Sequence, residues 1–372
     1  MRPVPGDVMF DSLKDEKCII MACNTRITKG VVKGIMKAAK EMDAAVIFEL
    51  AKSESNLEGG YTGLTPDEYC LTVNSVALDV GFDIYALHAD HIGIKKGNAE
   101  EMEDVKKLVK GQIDAGYSSF AIDASHIFDF DAKTCEAELA GNIKATVELA
   151  GFIKANKKES FGLEVEVGEI GRKDTGGLIL TKPEEAVCYI SSLKKAGVEP
   201  HMLAIANGSA HGNTFDSEGN QIEQVSIDIP QTIAVGKALR DAGHDVTIAQ
   251  HGITGTPLSI IKDKFPKDYI RKGNVGTHWM NIVWDIFKEK EPELYKEIWD
   301  WTIENHGSAD KKDIETFGKK SKLAITVFKD KIYAMSPETE KAVEEKAYVE
   351  AKRFFDAFNA EGTASIVRKA LG

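Results

Sequence analysis

Long apolar runs are missing from this 372-residue sequence. No stretch of about 18 apolar residues offers a membrane span. The first residues, Met-Arg-Pro-Val-Pro-Gly-Asp, lack the apolar centre of a secretory signal. Positive charge is also scarce: 47 Lys and Arg against 59 Asp and Glu give a formal charge of −12. Nonspecific binding to nucleic acid or to an anionic membrane, which basic patches favour, is therefore not expected. A phosphorylated substrate stays open, because a few backbone N–H groups bind an anion on an acidic protein. Cysteine is sparse and unpaired in pattern. Cys18, Cys23, Cys70, Cys135 and Cys188 are odd in number and dispersed, without a CxxC pair. That excludes a disulfide framework and a zinc ribbon and leads to the expectation of a reduced, cytoplasmic protein.

What is present is repetition. Short apolar runs recur, each followed by a stretch of helical periodicity, the pattern of βα units on a parallel sheet. Strands are expected near Cys18–Cys23, Ala45–Leu50, Ile84–His88, Ser119–Asp123, Gly162–Val167, Met202–Ala206 and Val246–Gln250, with a less clear eighth around Val275–Ile282. Two helix starts read as capping boxes, Thr65-Pro66-Asp67-Glu68 and Thr181-Lys182-Pro183-Glu184. Eight units fit a closed (β/α)8 TIM barrel better than a doubly wound sheet. We expect one α/β domain over residues 1–372, a barrel over about 15–290 and a C-terminal helical extension over about 291–372. The extension is anchored by Trp299, Trp301, Phe354, Phe355 and Phe358, with a helix start at Ser336-Pro337. A lid and a subunit interface are equal readings of it.

Chemistry concentrates at the expected strand ends. Asn24 follows the first strand, His88-Ala89-Asp90-His91 closes the third, Asp123-Ala124-Ser125-His126 follows the fourth, and Glu164 and Glu166 alternate along the fifth. Asn207-Gly208-Ser209-Ala210-His211-Gly212 follows the sixth and Gln250-His251-Gly252 the seventh. In a barrel these positions open on one C-terminal mouth, where active sites are built. Five of the nine histidines fall there. His91, His211 and His251 suit a zinc-type ion held by imidazoles from separate strands, leaving His88 and His126 to outer or packing roles. Asp90, beside a proposed ligand, suits a general acid/base. Glu164 and Glu166 share one strand face and point into the barrel if Leu163, Val165 and Val167 pack outward. Asp123 suits a second or displaced metal position. Gly252-Ile253-Thr254-Gly255-Thr256-Pro257 lies where barrels bind phosphate. Gly59-Gly60-Tyr61-Thr62-Gly63 reads as a lid or simply a long turn. No strand is expected to end in a lysine placed for Schiff-base chemistry.

Together these motifs resemble the class II, metal-dependent ketose-bisphosphate aldolases, including the fructose- and tagatose-bisphosphate enzymes. The resemblance spans about Cys18 to Trp284. It rests on His88-Ala89-Asp90-His91, Ile122-Asp123-Ala124-Ser125-His126, Glu164-Val165-Glu166-Val167-Gly168, Gly208-Ser209-Ala210-His211-Gly212 and His251-Gly252-Ile253-Thr254-Gly255. It implies reversible aldol cleavage of a ketose (bis)phosphate to dihydroxyacetone phosphate and an aldehyde. The implied cofactor is Zn2+ or another divalent metal, with a monovalent cation near the phosphate, in a homodimer or homotetramer. By the same resemblance Asp90 transfers the proton, His91, His211 and His251 hold the metal with Asp123 and Glu166 near it, Gly212, Gly252 and Thr254 surround a phosphate, and Asn24 and Asn281 contact substrate.

Two motifs depart from the family. Its mobile-loop Gly-Gly-x-Glu-Asp reads Gly171-Arg172-Lys173-Asp174, so Asp174 or Glu169 replaces the glutamate or the role is lost. Its Asn-Ile-Asp-Thr phosphate motif reads Asn281-Ile282-Val283-Trp284, and no C-terminal arginine for phosphate is matched. The alternatives are a non-catalytic accessory subunit of a tagatose-bisphosphate aldolase, which Gly59–Pro66 also resembles, and a metal-dependent hydrolase.

Overall fold

The computed structural model describes residues 1–129, 131–168, 173–174, 177–210, 212–216 and 218–372. Eight parallel strands close into a barrel: β1 Ile20–Asn24, β2 Val46–Ala51, β3 Tyr85–Gly93, β4 Ser119–Asp123, β5 Gly162–Val167, β6 Met202–Ile205, β7 Thr247–Gln250 and β8 Ile270–Val275. Each pairs with its sequence neighbours, and β1 closes the ring on β8, Ile20 opposite Lys272. The strands are buried nearly throughout because helices cover them outside and side chains fill them inside. The fold expected from the sequence is the one observed. No helix among the described residues is long and apolar enough to cross a membrane.

The N-terminal end of the barrel is covered by the helix Gly6–Ser12. Val4 N donates to Tyr85 O and Gly6 N to Ser118 O, both at strand starts. Gly6 is required there, since a Cβ would come within 2.7 Å of Ser119 Cβ. The C-terminal helices form a belt outside the barrel. The helix Pro337–Phe358 lies against Val31–Glu41, close enough that a Cβ on Gly34 would meet Ala347 Cβ at 2.8 Å. Phe354, Phe355 and Phe358 on that helix are buried, and Trp299 stacks on Phe317 at 4.6 Å.

Two expected boundaries move. The eighth strand is Ile270–Val275, and Thr277–Lys290 is a helix. Its Arg271-Lys272 pair disguises a buried strand. Arg271 faces out and donates to the carbonyls of Lys14, Glu16 and Cys18, while Lys272 faces in. At the second start only half a box forms, one residue on: Lys182 N donates to Glu185 Oε2, while the Thr181 hydroxyl is engaged with Val167 O and Ala206 N. The first, Thr65 with Glu68, is present as expected. All five cysteines are free thiols.

Candidate functional site

The strand ends converge on a cavity of about 630 Å³ at the C-terminal mouth. Asn24, Asp90, His91, Asp123, Glu166, Gly212, His251, Gly252 and Thr254 all line it. One local irregularity builds its centre. The β3–β4 register shifts between Ala89 and Ile92, and His91 adopts φ +40°, a left-handed conformation uncommon outside glycine. In a regular strand Asp90 and His91 would point to opposite faces. The bulge instead turns both toward the mouth.

His91 Nδ1 lies 3.2 Å from Asp123 Oδ2 and 3.1 Å from Glu166 Oε2. Its ring is 4.3 Å, centroid to centroid, from that of His251. His251 Nε2 hydrogen-bonds Glu164 Oε1 at 2.9 Å, which fixes the orientation of the imidazole. Glu164 and Glu166 both point inward, as the strand alternation requires, but divide the work, one on His251 and the other on His91. Ligand atoms of Asp90, His91 and His251 lie within 4.8 Å of one another, and so do those of His91, Asp123 and Glu166. Burial disfavours a charged His91, yet Asp90, Glu166 and Asp123 outweigh it and hold its pKa well above the ordinary value. The negative field that favours a proton there equally favours a cation among these nitrogen and oxygen donors. The residues fit a divalent zinc-type ion.

Asp90 is held from beneath. Asn24 Nδ2 donates to its Oδ2 at 3.0 Å and Asn274 Nδ2 to its Oδ1 at 3.3 Å. Burial raises its pKa, but His91, Lys272 and His251 more than reverse that and keep the carboxyl ionised. Glu166 goes the other way: burial and repulsion from Asp123 exceed the attraction of His91. Beneath lies the fully buried Lys272, its Nζ 2.8 Å from Glu164 Oε2 and 3.1 Å from Glu49 Oε2. His88 sits in this lower layer, 2.7 Å from the Ser119 hydroxyl and 3.5 Å from Glu164. His126 lines the cavity.

Several expected placements change. Asn281 lies on the helix Thr277–Lys290 and pairs with Asn213, away from the cavity lining. With β8 ending at Val275, the strand-end motif is Asn274-Val275-Gly276-Thr277, and Asn274, Gly276 and Thr277 all line the cavity. Lys272, in the middle of β8, is a lysine inside the barrel that the sequence reading did not single out. Its pKa is raised because Glu164, Glu49 and Asp90 outweigh the cost of burial, so it is no neutral nucleophile. Arg26, Glu54, Tyr61, Lys52, Lys95 and Lys322 were not singled out from the sequence and also line the cavity. Arg26 Nε pairs with Glu54 Oε1 at 2.6 Å and Nη1 donates to Thr277 Oγ1 at 3.0 Å. Gly276 makes room for it, since a Cβ there would meet Arg26 Nη2 at 3.3 Å. Tyr61, in the glycine-rich turn, donates to Glu54 at 2.8 Å. The metal expectation for His211 and the acid/base expectations for Glu169 and the Asp174 side chain lie outside the described residues.

The sequence matches the fructose-bisphosphate aldolase class-II family over residues 5–361. The chain belongs to that family. It is 27% identical over 249 residues to a fructose-bisphosphate aldolase of Giardia intestinalis, covering 65% of this chain and 60% of that protein. It is 33% identical over 101 residues to the D-tagatose-1,6-bisphosphate aldolase subunit GatZ of Escherichia coli (strain SMS-3-5 / SECEC), covering 26% of this chain and 24% of GatZ. Less than two thirds of either relative's length is thus matched. Among solved structures, a fructose-bisphosphate aldolase from Campylobacter jejuni superposes with TM-score 0.63 at 18% identity, each chain covered to 97%. That likeness bears on the fold.

Proposed function

We propose that this chain is a divalent-metal-dependent aldolase that reversibly cleaves a phosphorylated ketose, such as fructose 1,6-bisphosphate, to dihydroxyacetone phosphate and an aldehyde. The observation that supports this most is the trio Asp90, His91 and His251 at the mouth of the barrel, with Asp123 and Glu166 against His91. His91, His251 and His211 hold the ion, and Asp123 and Glu166 balance its charge. When bound, the ion supplies positive charge that stabilises the negative charge gathering on substrate oxygen as the carbon–carbon bond breaks.

The protein's own groups do the rest. Asp90, kept ionised, accepts the proton of the C4 hydroxyl; the C3–C4 bond breaks, its electrons pass toward the C2 carbonyl, and C4 leaves as an aldehyde. In synthesis Asp90 returns that proton to the aldehyde oxygen. Gly212, Gly252 and Thr254, with Thr277 and the Arg26 guanidinium beside them, receive a phosphate; both glycines have positive φ, which leaves backbone N–H groups open to an anion. Lys52, Lys95 and Lys322 add positive charge around the cavity of an otherwise acidic protein.

The test is turnover of fructose 1,6-bisphosphate by metal-loaded protein, read as dihydroxyacetone phosphate released. Activity lost to a chelator and restored by zinc or cobalt is the expected result. Folded, metal-loaded protein that neither cleaves phosphorylated ketoses nor exchanges the dihydroxyacetone phosphate proton with solvent would overturn the catalytic reading in favour of an accessory subunit.

A further inference from the structure

Lys272 is the least expected charge in the molecule. It is fully buried inside a closed barrel, and around its ammonium stand Glu164 at 2.8 Å, Glu49 at 3.1 Å and Asp90 at 3.8 Å. These carboxylates are themselves at most 3% exposed. A buried charge is tolerated only when paired and hydrogen-bonded. Here one cation answers three acids, the arrangement of a metal centre with an ammonium at its middle. Glu49, His88 and Asp90 alone place ligand atoms within 4.8 Å of one another.

Asp90 stands between two cation positions. Above it, its oxygen lies within 4.8 Å of the His91 and His251 nitrogens, close enough for Asp90 to become a further metal ligand. Below it, Asn274 and Lys272 both address Oδ1 while Asn24 takes Oδ2. A carboxylate bound to the ion would be a poor proton acceptor, since its charge would already be committed. We propose that Lys272 is a positioning residue that holds Asp90 toward the barrel floor and out of the metal's coordination shell, which preserves Asp90 as the base. The same ammonium contacts Glu164 through Oε2, while Glu164 Oε1 makes its own hydrogen bond to His251. This rests on the aldolase reading of Asp90, but its signature is in metal binding.

The test is Lys272→Met, with Lys272→Met/Glu49→Gln as the variant that leaves one fewer uncompensated acid should the single change fail to fold. Metal affinity is measured by competition with a chromogenic chelator, alongside cleavage and dihydroxyacetone phosphate proton exchange. Without the ammonium that draws it to the floor, Asp90 joins the ion, so the folded variant binds zinc severalfold more tightly, while cleavage falls by about 100-fold as the base is lost, more than exchange does. Tighter metal with poorer cleavage is the opposite of what general loss of structure gives. Unchanged or weaker metal affinity in a folded variant overturns the proposal. If the parent lacks both reactions, the aldolase reading fails on its own, and the affinity change still decides whether Lys272 restrains Asp90.

Discussion

Asp90 and Glu166 are both buried carboxylates in one cavity, and their surroundings push them in opposite directions. Asp90 has three donors or cations beneath it and two imidazoles above, whereas Glu166 shares His91 with a second acid, Asp123. Groups separated in this way take different roles. If Asp90 is the proton carrier, Asp90→Ala keeps the fold and the metal but loses cleavage by about 10²–10⁴-fold, with proton exchange at dihydroxyacetone phosphate less affected. If Asp90 only orients His91, the same change weakens metal binding by about 10–100-fold and activity returns with excess metal. Cleavage and exchange assayed across a zinc titration separate the two outcomes. Asp90, His91, Asp123, Glu166 and His251 were all legible from the sequence, because short motifs at expected strand ends place them without tertiary information. Arg26, Tyr61 and Lys322 were not, because they reach the cavity from turns and from the C-terminal segment, where no strand period indicates direction.

At the scale of elements, legibility followed the physical basis of each signal. Seven strands announced themselves as apolar runs, since a parallel strand is buried on both faces. The eighth did not. Its inward Lys272 and outward Arg271 are buried and bonded to partners distant in sequence, Glu49 and Glu164 for one and residues 14–18 for the other. The error carried the choice of asparagine with it, Asn281 in place of Asn274. The C-terminal helix is tied to the barrel by a polar contact that is testable through pH. Glu350, on Pro337–Phe358, lies 3.5 Å from His278 Nε2, on the helix after β8, and 2.9 Å from Arg353 Nη1. His278, followed by Arg353, overcomes burial and lowers the Glu350 pKa from 4.5 to about 2. A depressed carboxyl pKa stabilises the folded state above the unfolded value and ceases to do so as pH falls through the folded value. Glu350→Gln is therefore expected to be less stable than the parent by about 1 kcal/mol at neutral pH, a modest figure because Arg353 is exposed to solvent. The urea midpoints of the two proteins should converge as pH falls from 4.5 toward 2. A constant gap across that range would show that the carboxylate charge contributes nothing.

For the whole molecule, the consequence of the site is mechanical as well as chemical. Among the described residues, the proposed ligands and their acids come from β3, β4 and β5 and from just after β7, so a bound ion would draw together strands from across the barrel. His91 lies 3.2 Å from Asp123 and 3.1 Å from Glu166, close enough for one cation to be shared among the three. An ion that binds only the folded state adds RT ln(1 + [M]/Kd), about 2.7 kcal/mol at a hundredfold excess over Kd. In a chain of this size that corresponds to a melting shift of about 3–4 °C. Thermal melts with zinc and with a chelator should differ by this order in the parent. In His251→Ala the difference should shrink toward zero, because the imidazole that Glu164 fixes is gone. Asp90→Ala should keep most of it, as Asp90 is held toward the floor and not by the ion. A full zinc-dependent shift in His251→Ala would remove His251 from the ligand set. A shift abolished by Asp90→Ala would make Asp90 a ligand after all, and with it the division between metal above and ammonium below would fall.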